Sequence, residues 1–550
     1  MRAGAYLSLA SNEGQRPVRN AVTPVPARPW LPMVVIAMGQ AQMSLNINAL
    51  PVSIGGIVAD FHAAPTTVGT AIVAHSLAVA GFAMLGAKFG QKFGALNVFR
   101  AGSAMLLAAM VLMTFSPDVA VMIVAQFIAG LAAAAIVPTL VVLIVENYSG
   151  AQQSKALGIL GAVQAMAAVT AFFVAGIVGT YLGWRYAFGL VVPFSALTLI
   201  LSWRLKPVPR ERNVEIDGVG AILAAAAVTL VSVGFNSFHD WGAVLANAAA
   251  PWSLLGLSPA LAMVVAGVLG IQLFIAWTQR RQARRLTPLL ALTIIESPRE
   301  HAAALAMMAI FMLANALTFL VPLYIQMVQG RSSLATAVAM IPYQLAVFAA
   351  ALLVLSFYDR LTPRQIARGS FVLVSSALVL LGVAMNNEFS DLFVILGLVM
   401  FGLGQGALAT LLFNVLVTHA PKQFAGDVGS LRGTIKNLAA GIGTALAGAL
   451  AVGILSVNVQ RSLVDNPAIP PELILQVDLD RANFVSNQRL HVVMAKTTAT
   501  PEQIAEAVRI NADSRRRALK LSFLLLGGMA LLVIVPVGRL PGHVQGRGLQ

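Results

Sequence analysis

The sequence predicts an all-α polytopic membrane protein with about fourteen transmembrane helices, and three observations carry that expectation. Apolar residues fill 58% of the 550 positions and charged residues only 10%, too few charges for a soluble chain of this size. The apolar residues gather in runs near or above the roughly 20 residues that cross a bilayer at about 1.5 Å per residue. The bases fall in alternate connections between those runs.

Taken in order, the runs lie near 30–56, 66–87, 98–115, 119–145, 156–180, 185–203, 217–235 and 257–278. After a basic break come 302–327, 334–357, 369–386, 391–418, 433–456 and 518–538. The first run carries Gln40, Gln42, Asn46 and Asn48, then Ala49-Leu50-Pro51, and no charge before Asp60. Amides taken into hydrocarbon need partners, so these line a solute pathway or act as glue between helices.

Lys88, Lys92, Arg100, Lys155, Arg204, Lys206, Arg210, Arg212, Arg280, Arg281, Arg284, Arg285, Arg360, Arg364, Arg368 and Lys422 all fall in alternate connections, against Arg185 and Arg331 in the short intervening loops. The positive-inside rule then places both termini in the cytoplasm of a bacterial inner membrane. The net charge of +15 is thereby used up by topology, and no nucleic-acid partner is needed. Residues 1–29 read as a disordered cytoplasmic tail ahead of an uncleaved first span. The absence of cysteine excludes disulfides, thiol catalysis and thiolate metal sites. The seven histidines form no local metal motif, no Gly-x-x-x-x-Gly-Lys-Ser/Thr motor occurs, and no nucleophile–base constellation suggests an enzyme. No cofactor is expected.

The turn between spans two and three runs Ala87, Lys88, Phe89, Gly90, Gln91, Lys92, Phe93, Gly94. A counterpart between spans ten and eleven runs Tyr358, Asp359, Arg360, Leu361, Thr362, Pro363, Arg364, the trace of a transporter built from two related halves. Together with Ala49-Leu50-Pro51, Gly130, Pro138, Gly183-Trp184-Arg185, Asp217-Gly218-Val219-Gly220, Pro322-Leu323-Tyr324-Ile325-Gln326 and Gly441-Ile442-Gly443, the chain resembles the major facilitator superfamily, in particular its fourteen-span drug:proton antiporter branch. The resemblance implies a major facilitator fold: two six-helix bundles flanking a central cavity, two extra spans and alternating access. It divides the chain into an N-terminal bundle at 30–203, the extra spans and basic linker at 204–299, a C-terminal bundle at 300–538, and a cytoplasmic tail at 539–550.

The chain departs from that pattern where charge is expected. Gln42 and Gln91 stand in the places of aspartates, Gln126 in the place of an arginine, and Ala171-Phe172 in the place of the antiporter Gly-Pro. No Asp or Glu lies well inside a span, so proton coupling is atypical or absent. His75 is the candidate proton carrier, because histidine titrates near neutrality; the bland alternative is a neutral histidine bonding across helices. Further pathway candidates are Gln164, Asn315, Gln344, Gln405 and Asn414. Lys88, Gln91, Lys92, Asp359, Arg360 and Arg364 form the loop or gating motif. Arg432 and Lys436 are candidate anion contacts, or else bases snorkelling to water. Gly402-Leu403-Gly404-Gln405-Gly406 marks close helix packing rather than a phosphate loop.

The only long polar insert, 456–517, contains a capping-box helix start at Thr500-Pro501-Glu502-Gln503. Alternating topology places it outside, as a cavity cap or the dock of a periplasmic adaptor. The expected function is export of small amphipathic molecules, neutral or anionic rather than cationic for want of an intramembrane counter-charge. The rivals are a metabolite facilitator or importer, and a transport-inactive sensor or scaffold that uses the insert.

Overall fold

The computed structural model describes residues 29–148, 150–206, 215–242, 244–247, 250–253, 255–290, 292–357, 360–384, 392–419, 425–464, 466, 487–495, 497 and 499–542. The N-terminal half contains α1 (Leu31–Val52), α2 (Ile54–Phe61), α3 (Pro65–Phe93), α4 (Ala95–Thr114), α5 (Val119–Asn147), α6 (Gly150–Tyr181), α7 (Trp184–Gly189) and α8 (Val191–Ser202). Between the halves lie α9 (Gly218–Asn236), α10 (Phe238–Trp241) and α11 (Pro259–Ala283). The C-terminal half contains α12 (Pro298–Leu323), α13 (Ser333–Leu353), α14 (Pro363–Ala384), α15 (Leu392–His419), α16 (Ala425–Val464), α17 (Asn487–Met494), α18 (Pro501–Leu532) and α19 (Ile534–Val537).

Local chemistry sets many of these boundaries. Asp118 opens α5 by accepting a hydrogen bond from Val121 N at 2.9 Å. Ser297 with Glu300 and Thr500 with Gln503 form capping boxes at α12 and α18, each relieving orphan N–H groups of a first turn. Pro51 and Ser53 end α1 and hand the chain to α2. Pro322, inside α12, lacks an N–H and is followed by a π turn, Tyr324–Val328, as expected where a proline disturbs the ladder.

The halves repeat one packing scheme. α3 packs on α5 as α13 packs on α15, α1 on α6 as α12 on α16, and α4 on α5 as α14 on α15. Close approach needs missing side chains: a Cβ at Gly130 in α5 would meet the His75 carbonyl of α3, and one at Gly443 in α16 would meet the Met312 carbonyl of α12. Ala439, Ala447 and Ala451 extend the Gly443 seam and are fully buried, so α16 lies against its neighbours along a row of small residues. The α9–α11 hairpin sits where α9 touches both α3 and α16. Buried Asp217 caps α9, accepts from Trp277 Nε1 at 3.0 Å, and lies 3.6 Å from Arg281 Nε, so the Asp-Gly-Val-Gly motif joins the two added helices.

Among the described residues, twelve helices are long and apolar enough to cross a membrane, against the fourteen expected. The shortfall falls on α1 and α6. The amides of α1 dilute its apolar character, and α6 enters only through Met166–Tyr181 because many of the side chains ahead of it lie outside the described set. In α1, packed inside the bundle, Gln42 and Asn46 bond to other helices, so span length and apolarity separate there.

Candidate functional site

The amides singled out in the first span divide into two classes. Gln42 and Asn46, one turn apart, point into the N-terminal half and are fully buried. Asn46 Nδ2 donates to Gln126 Oε1 at 3.0 Å, and Gln126 Nε2 donates back to Asn46 Oδ1 at 3.0 Å. This closed amide pair ties α1 to α5 and meets each side chain's needs without solvent. Gln126 Nε2 also lies 3.5 Å from Met113 Sδ, and Gln42 Nε2 donates to Ser103 Oγ of α4 at 3.3 Å, leaving Gln42 Oε1 buried without a partner. Gln40 and Asn48 are half-buried and bond locally, Gln40 to Ser44 Oγ at 3.3 Å and Asn48 to the Ser44 carbonyl at 2.7 Å.

His75 joins the same buried layer at 5% exposure. Its ring lies against the Gln126 backbone, and its Nδ1 has no partner. Gln42, Asn46, Gln126 and His75 thus come together inside one half.

The other candidates are dispersed. Gln164 is exposed on α6. Asn315 Nδ2 donates to the Phe311 carbonyl at 2.7 Å. Gln344 is half-buried beside Tyr343, whose hydroxyl donates to Gln405 Oε1 at 2.6 Å and bridges α13 to α15. Asn414 is half-buried on α15. The Arg432 guanidinium stands 4.4 Å from the centre of the Phe413 ring, with half-buried Lys436 one turn further along α16. Of the loop motif, Lys88 and Lys92 are half-buried, Gln91 and Arg360 are exposed, and Asp359 lies outside the described residues. Arg364 donates from both Nε and Nη2 to the Leu540 carbonyl, each at 3.1 Å, pinning the end of the chain beside α14.

Hydrogen bonds that join the two halves cluster at the end opposite the basic loops. Gln326 on the π turn donates to the Pro51 carbonyl at 3.1 Å and accepts from Gly55 N at 2.6 Å. Leu334 N donates to Thr180 Oγ1 at 3.0 Å. Arg515, fully buried on α18, donates to the Met327 carbonyl of the same π turn at 2.8 Å. Nearby, Asp60 after the first span takes hydrogen bonds from Trp184 and Arg185, and Arg185 also reaches the Ser116 carbonyl at 2.9 Å. Sequence reasoning missed Asp60, Gln326 and Arg515 as structural joints. The signals were a lone acid after an apolar run, an amide within a proline-marked helix end, and an arginine set against the local charge bias.

A polar cavity of ≈ 660 Å³ lies at that same end, lined by Arg461, Asn466, Glu506, Arg509, Asp513 and Arg517 among others. Arg509 pairs with Glu506 at 2.6 Å and Asn466 Nδ2 donates to Glu506 at 2.7 Å. It sits between the C-terminal end of α16 and the N-terminal part of α18, and Glu506 and Asp513 pair there with Arg509 and Arg516.

At the opposite end of the molecule Tyr148 anchors the start of α1: Met33 N donates to Tyr148 Oη at 3.0 Å, and that hydroxyl donates to the Pro29 carbonyl at 3.1 Å. Burial raises the phenol above its ordinary value, against a smaller opposing effect of the Met33 hydrogen bond, so Tyr148 stays a proton donor.

A family model described as Major Facilitator Superfamily matches residues 36–444. The chain is 23% identical over 419 residues to the riboflavin transporter RibZ of Clostridioides difficile (strain 630), covering 76% of this chain and 87% of that one. It is 23% identical over 470 residues to a probable actinorhodin transporter of Streptomyces coelicolor, covering 83% and 78%. The backbone resembles that of a bacterial homolog to the human lysosomal transporter Spinster, in an inward-facing and occupied conformation, with a TM-score of 0.62 and 12% identity over 93% of this chain and 98% of that one. Two halves with matching helix pairs, joined at one end, together with a family match over most of the chain, make this protein a membrane transporter of the Major Facilitator Superfamily.

Proposed function

We propose that this secondary transporter exports small amphipathic molecules from the cytoplasm by alternating access, without the proton-coupling charges of its antiporter relatives. The observation that carries the reading is the buried Asn46–Gln126 pair, which occupies with neutral amides the layer where the family resemblance implies charge. Amides do not titrate, so no proton is bound and released there. The joined ends at Gln326 and Leu334 are the closed outer gate, and the opposite, basic end faces the cytoplasm. Polar groups of the C-terminal half, including Asn315, Gln405 and Asn414, line the route, while the first-span amides hold the N-terminal half together. His75 serves as a neutral interhelical group.

Uptake of neutral, anionic and cationic dyes by everted vesicles, with and without a protonophore, tests this. Protein-dependent uptake that survives the protonophore is expected. Its abolition contradicts the uncoupled reading and makes His75→Gln the next variant. Import by right-side-out vesicles without accumulation in everted ones reverses the direction.

A further inference from the structure

Gly429, Arg432, Gly433 and Lys436 fall at helical intervals on one stripe of α16. A Cβ added at Gly429 or at Gly433 meets nothing within 4 Å, so this stripe borders open space while Gly443, on the same helix face, presses on α12. Arg432 and Lys436 stand just ahead of the apolar run 438–457 of α16. Two half-buried bases at the mouth of that run are costly unless something compensates them. Among the described residues, neither takes part in an ion pair with a carboxylate.

The Arg432 guanidinium is oriented by the Phe413 face at 4.4 Å. A guanidinium stacked on a ring keeps its N–H edge free for a planar oxyanion. Lys436 lies one helical turn from Arg432, where like charges repel, so an anion placed between them relieves that repulsion and forms charge-assisted hydrogen bonds to both. The half-buried Phe413 ring offers apolar surface to a body attached to that anion.

We propose that Arg432 and Lys436 form a site for the oxyanion head of an amphipathic molecule, the carboxylate or equivalent group of an anionic solute carried by the transporter. This rests on the transport reading above and names its substrate class. An anionic lipid presents the same chemistry through its phosphate.

The test uses purified full-length protein in phosphatidylcholine nanodiscs, with fluorescein as anionic probe and rhodamine 123 as cationic control, both read by anisotropy. Arg432→Gln and Lys436→Gln are each expected to weaken fluorescein binding by about tenfold, with rhodamine 123 unchanged or tighter and the variants as monodisperse as the parent. Arg432→Lys, which keeps the charge, is expected to lose less. Equal fluorescein binding by parent and both glutamine variants, or no fluorescein binding by any of them, overturns the site. Phosphatidylglycerol that displaces fluorescein from the parent, with no fluorescein flux in proteoliposomes, assigns the site to lipid and overturns the solute. Rhodamine 123 flux independent of Arg432, with fluorescein unbound, removes the site and leaves transport standing. Fluorescein held through Arg432 while no probe crosses in any lipid leaves the oxyanion site and removes transport.

Discussion

The interiors of the two halves solve opposite problems with the same helix pairing. In the N-terminal half, Asn46 and Gln126 satisfy each other and His75 is buried on α3, with α3 and α5 held at the distance that Gly130 permits. In the C-terminal half, α16 presents Arg432 and Lys436 beside open space at Gly433. One interior is closed by reciprocal hydrogen bonds; the other keeps charge available. A repeat in backbone therefore does not imply a repeat in chemistry.

The largest effect expected is on packing. Gly130→Ala forces α3 from α5 and is expected to cost about 3 kcal/mol, seen as lost folded yield or a lower melting temperature in detergent. Gly433→Ala on the open stripe is expected to be neutral or to gain up to about 1 kcal/mol. Equal losses at the two glycines would erase the contrast between the halves.

Next, Asn46→Leu leaves a buried amide on Gln126 and is expected to cost about 1–3 kcal/mol, while Asn46→Leu with Gln126→Leu recovers part of it. A double-mutant cycle in the same melting assay is expected to show a coupling of about 0.6–1.7 kcal/mol; zero coupling would mean that the pair does not hold the layer. Lys436→Met removes a cation with no carboxylate partner among the described residues and is expected to move stability the other way, by a gain on the order of 1 kcal/mol, while anion binding falls.

A smaller shift is expected at the outer gate. Gln326→Leu deletes the two bonds to Pro51 and Gly55. At about 1 kcal/mol per bond this favours opening by roughly tenfold or more. Because the chain contains no cysteine, a single Leu334→Cys reports that opening as faster labelling by an impermeant maleimide from the outside. Smallest of all, Gln42→Asp is expected to give no protonophore-sensitive transport, since Gln126 and the substituted antiporter motif remain; acquired sensitivity would return coupling to the N-terminal half.

Much of this molecule is legible locally. The apolar runs, the sorting of bases between loops, the capping box at Thr500 and the motif order that resembles the family all depend on neighbours within a few turns, and the helices follow them. The first span is the instructive partial failure. Its amides signalled that something polar would be buried, but whether Gln42 and Asn46 face a pathway or another helix depends on Gln126, which lies 80 residues from Asn46, and on Ser103, which lies 61 residues from Gln42.

Composition and periodicity alone set the membrane-spanning helical class, because both are properties of the chain; the recurring basic turn suggested two related halves, and the family resemblance marked Gln42 and Gln126 as amides where charge is expected. Only the tertiary structure decided that Asn46 and Gln126 close on each other, that buried Arg515 spends a hydrogen bond on the Met327 carbonyl, and that Arg432 and Lys436 border open space. A buried polar group's role is set by what the distant chain brings within hydrogen-bond reach, and no local pattern encodes that partner.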